Sequence, residues 1–167
     1  SAKFGPAGNS ESFSKVHKSS LAAPGWIADF GLDCYEYQCG QGVRIQKDTA
    51  LKLGENARAA GIALSLHAPY FINLANPDRE SVRKNNGYVL TSCAAADWMG
   101  AKRVVVHTGA LMGRSRREAL DIAKRGMQTL LSVLDTAGLG HIALCPETMG
   151  KINQLGDLEE VLELCTL

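Results

Sequence analysis

No stretch of this 167-residue chain holds the roughly 18 consecutive apolar residues that a membrane-crossing helix needs, so none is expected. Paired CxxC motifs are missing too. The five cysteines, Cys34, Cys39, Cys93, Cys145 and Cys165, form an odd set without a short disulfide ladder. Reduced thiols, buried or bystander, are the expectation, and the Cys34/Cys39 spacing is only a weak metal signal. Excess charge of either sign is also lacking. A net charge of +1 excludes a basic nucleic-acid surface spread over the whole domain, while leaving room for a local phosphate-binding patch. Neither a Walker loop nor GxGxxG occurs. The nearest approach, Gly5-Pro6-Ala7-Gly8-Asn9-Ser10, reads as a plain strand-to-helix loop. Ser1-Ala2 carries neither the charged nor the apolar region of a signal peptide, and a cytoplasmic location is expected.

What is present is an ordinary globular composition, 46% hydrophobic and 21% charged, at a length suited to one domain spanning residues 1–167. Short aliphatic runs alternate with longer amphipathic stretches, the pattern of successive strand-helix units on a parallel sheet. Strands are expected at Lys3 to Gly5, Asp33 to Tyr37, Ile62 to His67, Arg103 to His107 and Ile142 to Cys145. Helices are expected at Lys15 to Asp29, Asp48 to Ala60, Glu80 to Met99, Arg116 to Ala137 and Leu158 to Cys165. Glycines 31, 61, 100 and 140 precede four of the strands, where a helix would end in a left-handed turn. Ser115 with Glu118 and Asp157 with Glu160 fit capping boxes. Leu120, Ile122, Ala123, Met127, Leu130, Leu131 and Leu134 recur at helical spacing and mark a buried face. Arg114, Arg116, Arg117, Lys124 and Arg125 lie at its start and outer side. A solvated face explains them, and Arg114 and Arg116 also lie near enough to the His107 loop to reach a phosphate.

Five strand-helix units fall short of the eight that close a barrel and leave sheet edges uncovered. The expected class is therefore α/β, an incomplete (β/α)8 TIM barrel read as the N-terminal portion of a longer one. Pairing with a second copy and an open flavodoxin-like sheet are the alternatives.

The chemical signal lies in His67, His107 and Glu147. They stand forty residues apart, each at or just past the end of an apolar strand-like run. One repeat per interval brings all three to the rim at the carboxyl ends of the strands, where such folds build active sites. A single histidine there is more often a hydrogen-bonded strand-end residue. Two in equivalent positions followed by a carboxylate point instead to a divalent metal with an open position, a zinc set of the catalytic type. His17 and His141 lack this context, and His141 belongs to the opposite end of its strand. In the loop after His67, Tyr70 and Phe71 offer faces for a base or sugar and Asn73 a donor for phosphate. Packing of the rim by those aromatics is an equal alternative.

The segments HAPYFINLAN at 67–76, VVVHTGA at 104–110 and CPETMGK at 145–151 resemble, in order and spacing, the first half of the endonuclease IV family of apurinic/apyrimidinic endonucleases, within the xylose-isomerase-like barrels. The resemblance implies a (β/α)8 barrel whose trinuclear zinc cluster hydrolyses the phosphodiester 5′ to an abasic site in DNA. It implies that His67, His107 and Glu147 bind one Zn2+, with Mn2+ as a substitute, and that Glu147 also bridges to a second ion and acts in catalysis. Tyr70 matches a position that approaches DNA; apart from the resemblance, Asn73 and Arg114 are expected as further DNA contacts. The family's other zinc ligands lie on later strands, and Tyr35 to Arg44 departs from the DNA-penetrating loop of well-known members. Two alternatives stand beside this expectation: a metal-dependent sugar isomerase or epimerase of the same superfamily, and a truncated, non-catalytic metal-binding fragment.

Overall fold

The computed structural model describes residues 2–167. Four parallel strands, β1 (Cys34–Gln38), β2 (Ala63–His67), β3 (Arg103–Val106) and β4 (Ala143–Pro146), pair in the order in which they occur. Each crossover therefore steps the same way across the sheet. A flavodoxin-like sheet requires the order to reverse part-way, so the winding is that of a barrel opened along one side. Helices α2 (Ala23–Asp29), α3 (Lys47–Ala60), α4 (Arg79–Met99), α5 (Arg116–Thr136) and α6 (Leu158–Leu164) contact one another in series and form one outer layer.

Strand alternation divides the side chains. Tyr35, Leu66, Val104 and Val106 are buried against the helices, where Leu53, Val89, Cys93, Met127, Leu130 and Leu134 complete the core. Glu36, Gln38, Ser65, His67, Arg103, Val105 and Cys145 take the other face, the interior of the barrel. There Ser65 Oγ and Gln38 Nε2 donate to the Glu36 carboxylate at 3.3 and 2.9 Å. Burial pushes the thiols of Cys39 and Cys93 up to about 11 and about 12. All five cysteines are free, and those two are inert core groups.

Three expectations need correction. The segment expected as a strand at Lys3 to Gly5 runs beside β1 without becoming a regular strand. Asp33 N donates to Phe4 O at 2.8 Å, Glu36 N to Pro6 O at 3.1 Å and Gly8 N to Glu36 O at 2.9 Å, with one isolated parallel bridge between Ala7 and Glu36. Pro6 has no N–H, so the ladder lacks a return bond in its middle. Four strand-helix units are thus regular where five were expected. The helix expected over Lys15 to Asp29 is broken into α1 (Glu11–Val16), a 3-10 turn (Ser20–Ala22) and α2. Ser10 and Ser19 each cap a new start, and Pro24 in the first turn of α2 cannot continue a helix arriving from α1. Last, α5 ends in Gly138 (φ +74), not Gly140 as its left-handed residue; Gly31, Gly61 and Gly100 behave as expected. Both capping boxes form as read.

An apolar hollow of ≈ 200 Å³ lined by Phe13, Trp26, Phe30, Leu32 and Tyr35 opens at the β1 edge, on elements that carry none of the histidine or glutamate side chains of interest. Among the described residues, no helix is long and apolar enough to cross a membrane.

Candidate metal centre

His67 is the last residue of β2, and His107 and Glu147 each follow the last residue of β3 and β4. The sheet's hydrogen bonds run on past these ends. Ala68 N donates to Val105 O, and Glu147 N to Val106 O, each at 2.9 Å. Because the three residues have the same parity as the inward-facing strand positions, their side chains converge. His67 Nε2 lies 3.1 Å and His107 Nε2 3.0 Å from the same atom, Glu147 Oε2. The imidazoles stand perpendicular, at 89°, with centroids 5.2 Å apart. Each residue offers one ligand atom, and these atoms lie within 4.8 Å of one another. Side-chain exposures of 12% and 19% for the histidines against 40% for Glu147 give the cluster dry walls and one open side.

The hydrogen bonds specify the charge such a cluster requires. His67 Nδ1 is 2.7 Å from Ala68 O, an acceptor only, so Nδ1 carries a proton. In the neutral ring Nε2 then presents a lone pair to a carboxylate oxygen. A proton shared with the carboxyl, or a metal ion, has to lie between them. Zinc bonds of about 2.0–2.1 Å in tetrahedral geometry separate neighbouring ligand atoms by about 3.3 Å, close to the 3.1 and 3.0 Å from each Nε2 to Glu147 Oε2. The donor set therefore fits a zinc-type divalent ion, and the Ala68 carbonyl supplies the outer partner that orients a metal-binding histidine.

The remaining rim residues expected at the site have distinct places. Tyr70 is exposed and packs edge-on against Phe71, 5.7 Å between centroids, which in turn meets Tyr88 of α4 at 4.9 Å. Tyr70, Phe71, Asn73, His107, Met149 and Gln154 line a cleft of ≈ 270 Å³ beside the cluster. Asn73 is tied into the scaffold. Its Oδ1 accepts from Ala75 N at 3.0 Å and Ala110 N at 3.1 Å, and its backbone carbonyl accepts from Asn85 Nδ2 at 2.7 Å. Only Nδ2 faces a weak acceptor, Met112 Sδ at 3.3 Å. Gly109 (φ +123) is required there, because a Cβ would collide with Asn73 Oδ1.

Arg114 Nη1 is buried without a hydrogen-bond partner among the described residues, as is Gln154 Oε1. Arg116, expected within reach of phosphate, is engaged elsewhere. Its guanidinium forks onto Glu160 at 2.8 and 2.7 Å. Nothing in the local sequence announced that pair, since the partners lie in different helices. His141 pairs with Asp97 at 2.8 Å, at the start of β4 and the end of α4, on the end of the sheet opposite the cluster as expected. The described residues contain no other group of three histidine, cysteine, aspartate or glutamate side chains close enough to share an ion.

With this geometry in place, residues 24–167 match the family model of the xylose isomerase-like TIM barrel. The chain belongs to that family. It is 33% identical over 139 residues to an uncharacterized protein of Methanocaldococcus jannaschii, a match covering 83% of this chain and 50% of that protein. It is 30% identical over 99 residues to "probable endonuclease 4" of Acholeplasma laidlawii, covering 59% of this chain and 33% of that one. Among solved structures it resembles D-psicose 3-epimerase of Clostridium cellulolyticum (TM-score 0.71, 12% identity, 90% of this chain and 54% of that one). It also resembles endonuclease IV of Thermus thermophilus (TM-score 0.62, 19% identity, 87% and 54%). The chain thus spans between a third and a little over half of these proteins, in keeping with an incomplete barrel. The endonuclease IV resemblance of the motifs stands within this family, and the solved structures at these identities establish the fold alone.

Proposed function

We propose that this chain carries one zinc site of an endonuclease IV-like enzyme that hydrolyses the phosphodiester 5′ to abasic sites in DNA. The observation that carries the reading is the single carboxylate oxygen of Glu147 held between the Nε2 atoms of His67 and His107. Among relatives, the named sequence matches favour the nuclease over the epimerase, whose likeness is one of fold. His67 and His107 would hold the ion, and Glu147 would hold it and orient the attacking water. The bound ion supplies Lewis acidity toward a phosphodiester oxygen.

The rest of the rim supports an anionic, base-bearing substrate. Tyr70 and Phe71 present ring faces and edges at the mouth of the cleft, suited to stacking on a base or sugar beside a missing base. Arg114, at the end of the His107 loop, would add a cationic contact to the phosphate backbone. Asn73 can spare only Nδ2, so its contribution to DNA is one donor and its larger task is holding the loop. A role in DNA repair, together with free thiols, supports a cytoplasmic location.

The deciding assay is incision of a duplex carrying one stable abasic-site analogue, with zinc present, by the intact polypeptide. Cleavage 5′ to the lesion, lost in Glu147→Gln, is the expected result. Epimerisation of a ketose with no nicking would replace this reading with the sugar-isomerase one, and metal binding without either activity would leave a non-catalytic fragment.

A further inference from the structure

The segment Ile152 to Gly156 touches both ligand-bearing loops. Thr108, next to His107, donates its hydroxyl to Leu155 O at 2.5 Å. Leu155 N donates to Gly109 O and Leu111 N to Asn153 O, both at 2.9 Å. On the Glu147 side, Met149 N donates to Gly156 O at 2.7 Å. A Cβ on Gly156 (φ +125) would lie 2.9 Å from Glu147 O, so only glycine lets the segment lie this close. What anchors it is one guanidinium at the start of α5. Arg116 Nη1 donates to Ile152 O at 3.2 Å and Nη2 to Gln154 O at 3.3 Å, while Nε and Nη2 grip Glu160. Buried Glu160 in turn accepts from Gly156 N at 2.8 Å and Asp157 N at 3.1 Å.

We infer that Arg116 and Glu160 are positioning residues of the metal centre: the pair clamps the strap at 152–156 and thereby sets the separation of His107 and Glu147. This rests on reading those side chains as metal ligands. A planar fork is needed, because two carbonyls and a carboxylate are met at once from one side. Neither Arg116 nor Glu160 is bonded to His67, His107 or Glu147, so the effect passes through the strap alone. Glu160 also closes the capping box of α6, which ties the strap's far end to a helix.

The test is zinc affinity of the intact polypeptide, measured by competition with a chromophoric chelator well below the unfolding temperature of each variant. Arg116→Lys and Glu160→Gln should each weaken zinc binding by about 10-fold, the low end of the range for direct hydrogen-bond partners of metal ligands, because the pair acts one step further out. Hydrogen exchange in the metal-free protein should show faster exchange at Leu155 and Met149 N–H, with Ala68 N–H in the sheet still protected. Leu130→Ala, in the core away from the strap, should lower the unfolding temperature and leave zinc affinity unchanged. Zinc binding within two-fold of wild type in both clamp variants would overturn the inference. Should wild type fail to bind zinc, or His67→Ala bind it equally well, the metal-centre reading itself falls and takes the inference with it.

Discussion

Replacing Asn73 by alanine removes one acceptor that serves two backbone amides in different loops, Ala75 N and Ala110 N. Ala75 is fully buried, so its N–H finds no water in exchange. A hydrogen bond contributes about 1 kcal/mol net, and a buried donor left unpaired costs about 1–3 kcal/mol. The expected loss is therefore about 2–4 kcal/mol. For a chain of this length that corresponds to a fall of roughly 4–16 °C in unfolding temperature. Urea unfolding followed by circular dichroism measures it, with Asn73→Asp as the companion variant. Aspartate keeps the Oδ1 acceptor, loses the Nδ2 donor and brings a negative charge. It should hold most of the stability and, under the proposed function, weaken DNA binding through both changes. Equal stability of Asn73→Ala and wild type would refute the claim that this side chain links the β2 and β3 loops. Equal losses in alanine and aspartate variants would refute the assignment of the stabilising role to Oδ1.

Other outcomes follow from the same contacts. Leu130, fully buried under the sheet, should cost about 2–5 kcal/mol as Leu130→Ala in urea unfolding, because the cavity left between α5 and its neighbours cannot collapse fully. Acid should weaken the clamp. Burial alone would raise the Glu160 carboxyl, but Arg116 and the amides of Gly156 and Asp157 outweigh it, so its folded pKa lies below the ordinary 4.5. A depressed carboxyl stabilises the fold in full above the unfolded pKa and loses that contribution as pH falls through the folded value. The stability difference between wild type and Glu160→Gln should be constant above about pH 5 and shrink steadily below about pH 4, read from urea midpoints across that range.

The sequence made the candidate ligands legible because strand ends are local events. The apolar runs ending at His67 and before His107 and Glu147 declare a strand, and equal spacing declares equal placement. The convergence of both imidazoles on one Glu147 oxygen required only that each interval be one strand-helix unit, as it is. Failures came where one signal masked another. The helical spacing across Lys15 to Asp29 concealed the stop that Pro24 imposes, and the extended Lys3 to Gly5 concealed the donor that Pro6 lacks. Arg116 and Asn73 are held by partners that only the folded loops bring near: Glu160 is forty-four residues away from Arg116, and Ala110, which donates to Asn73 Oδ1, is thirty-seven from Asn73, whose Nδ2 donor is left to a weak sulfur acceptor. No periodicity or cap encodes such contacts.

The most direct measurement is X-ray absorption at the zinc edge of the zinc-loaded polypeptide, compared with its Glu147→Gln and His107→Ala variants. Two imidazole nitrogens and a carboxylate oxygen at about 2.0–2.1 Å, with one imidazole lost in His107→Ala, is the expected result. A shell without imidazoles, or one unchanged by either substitution, would contradict a shared metal at His67, His107 and Glu147.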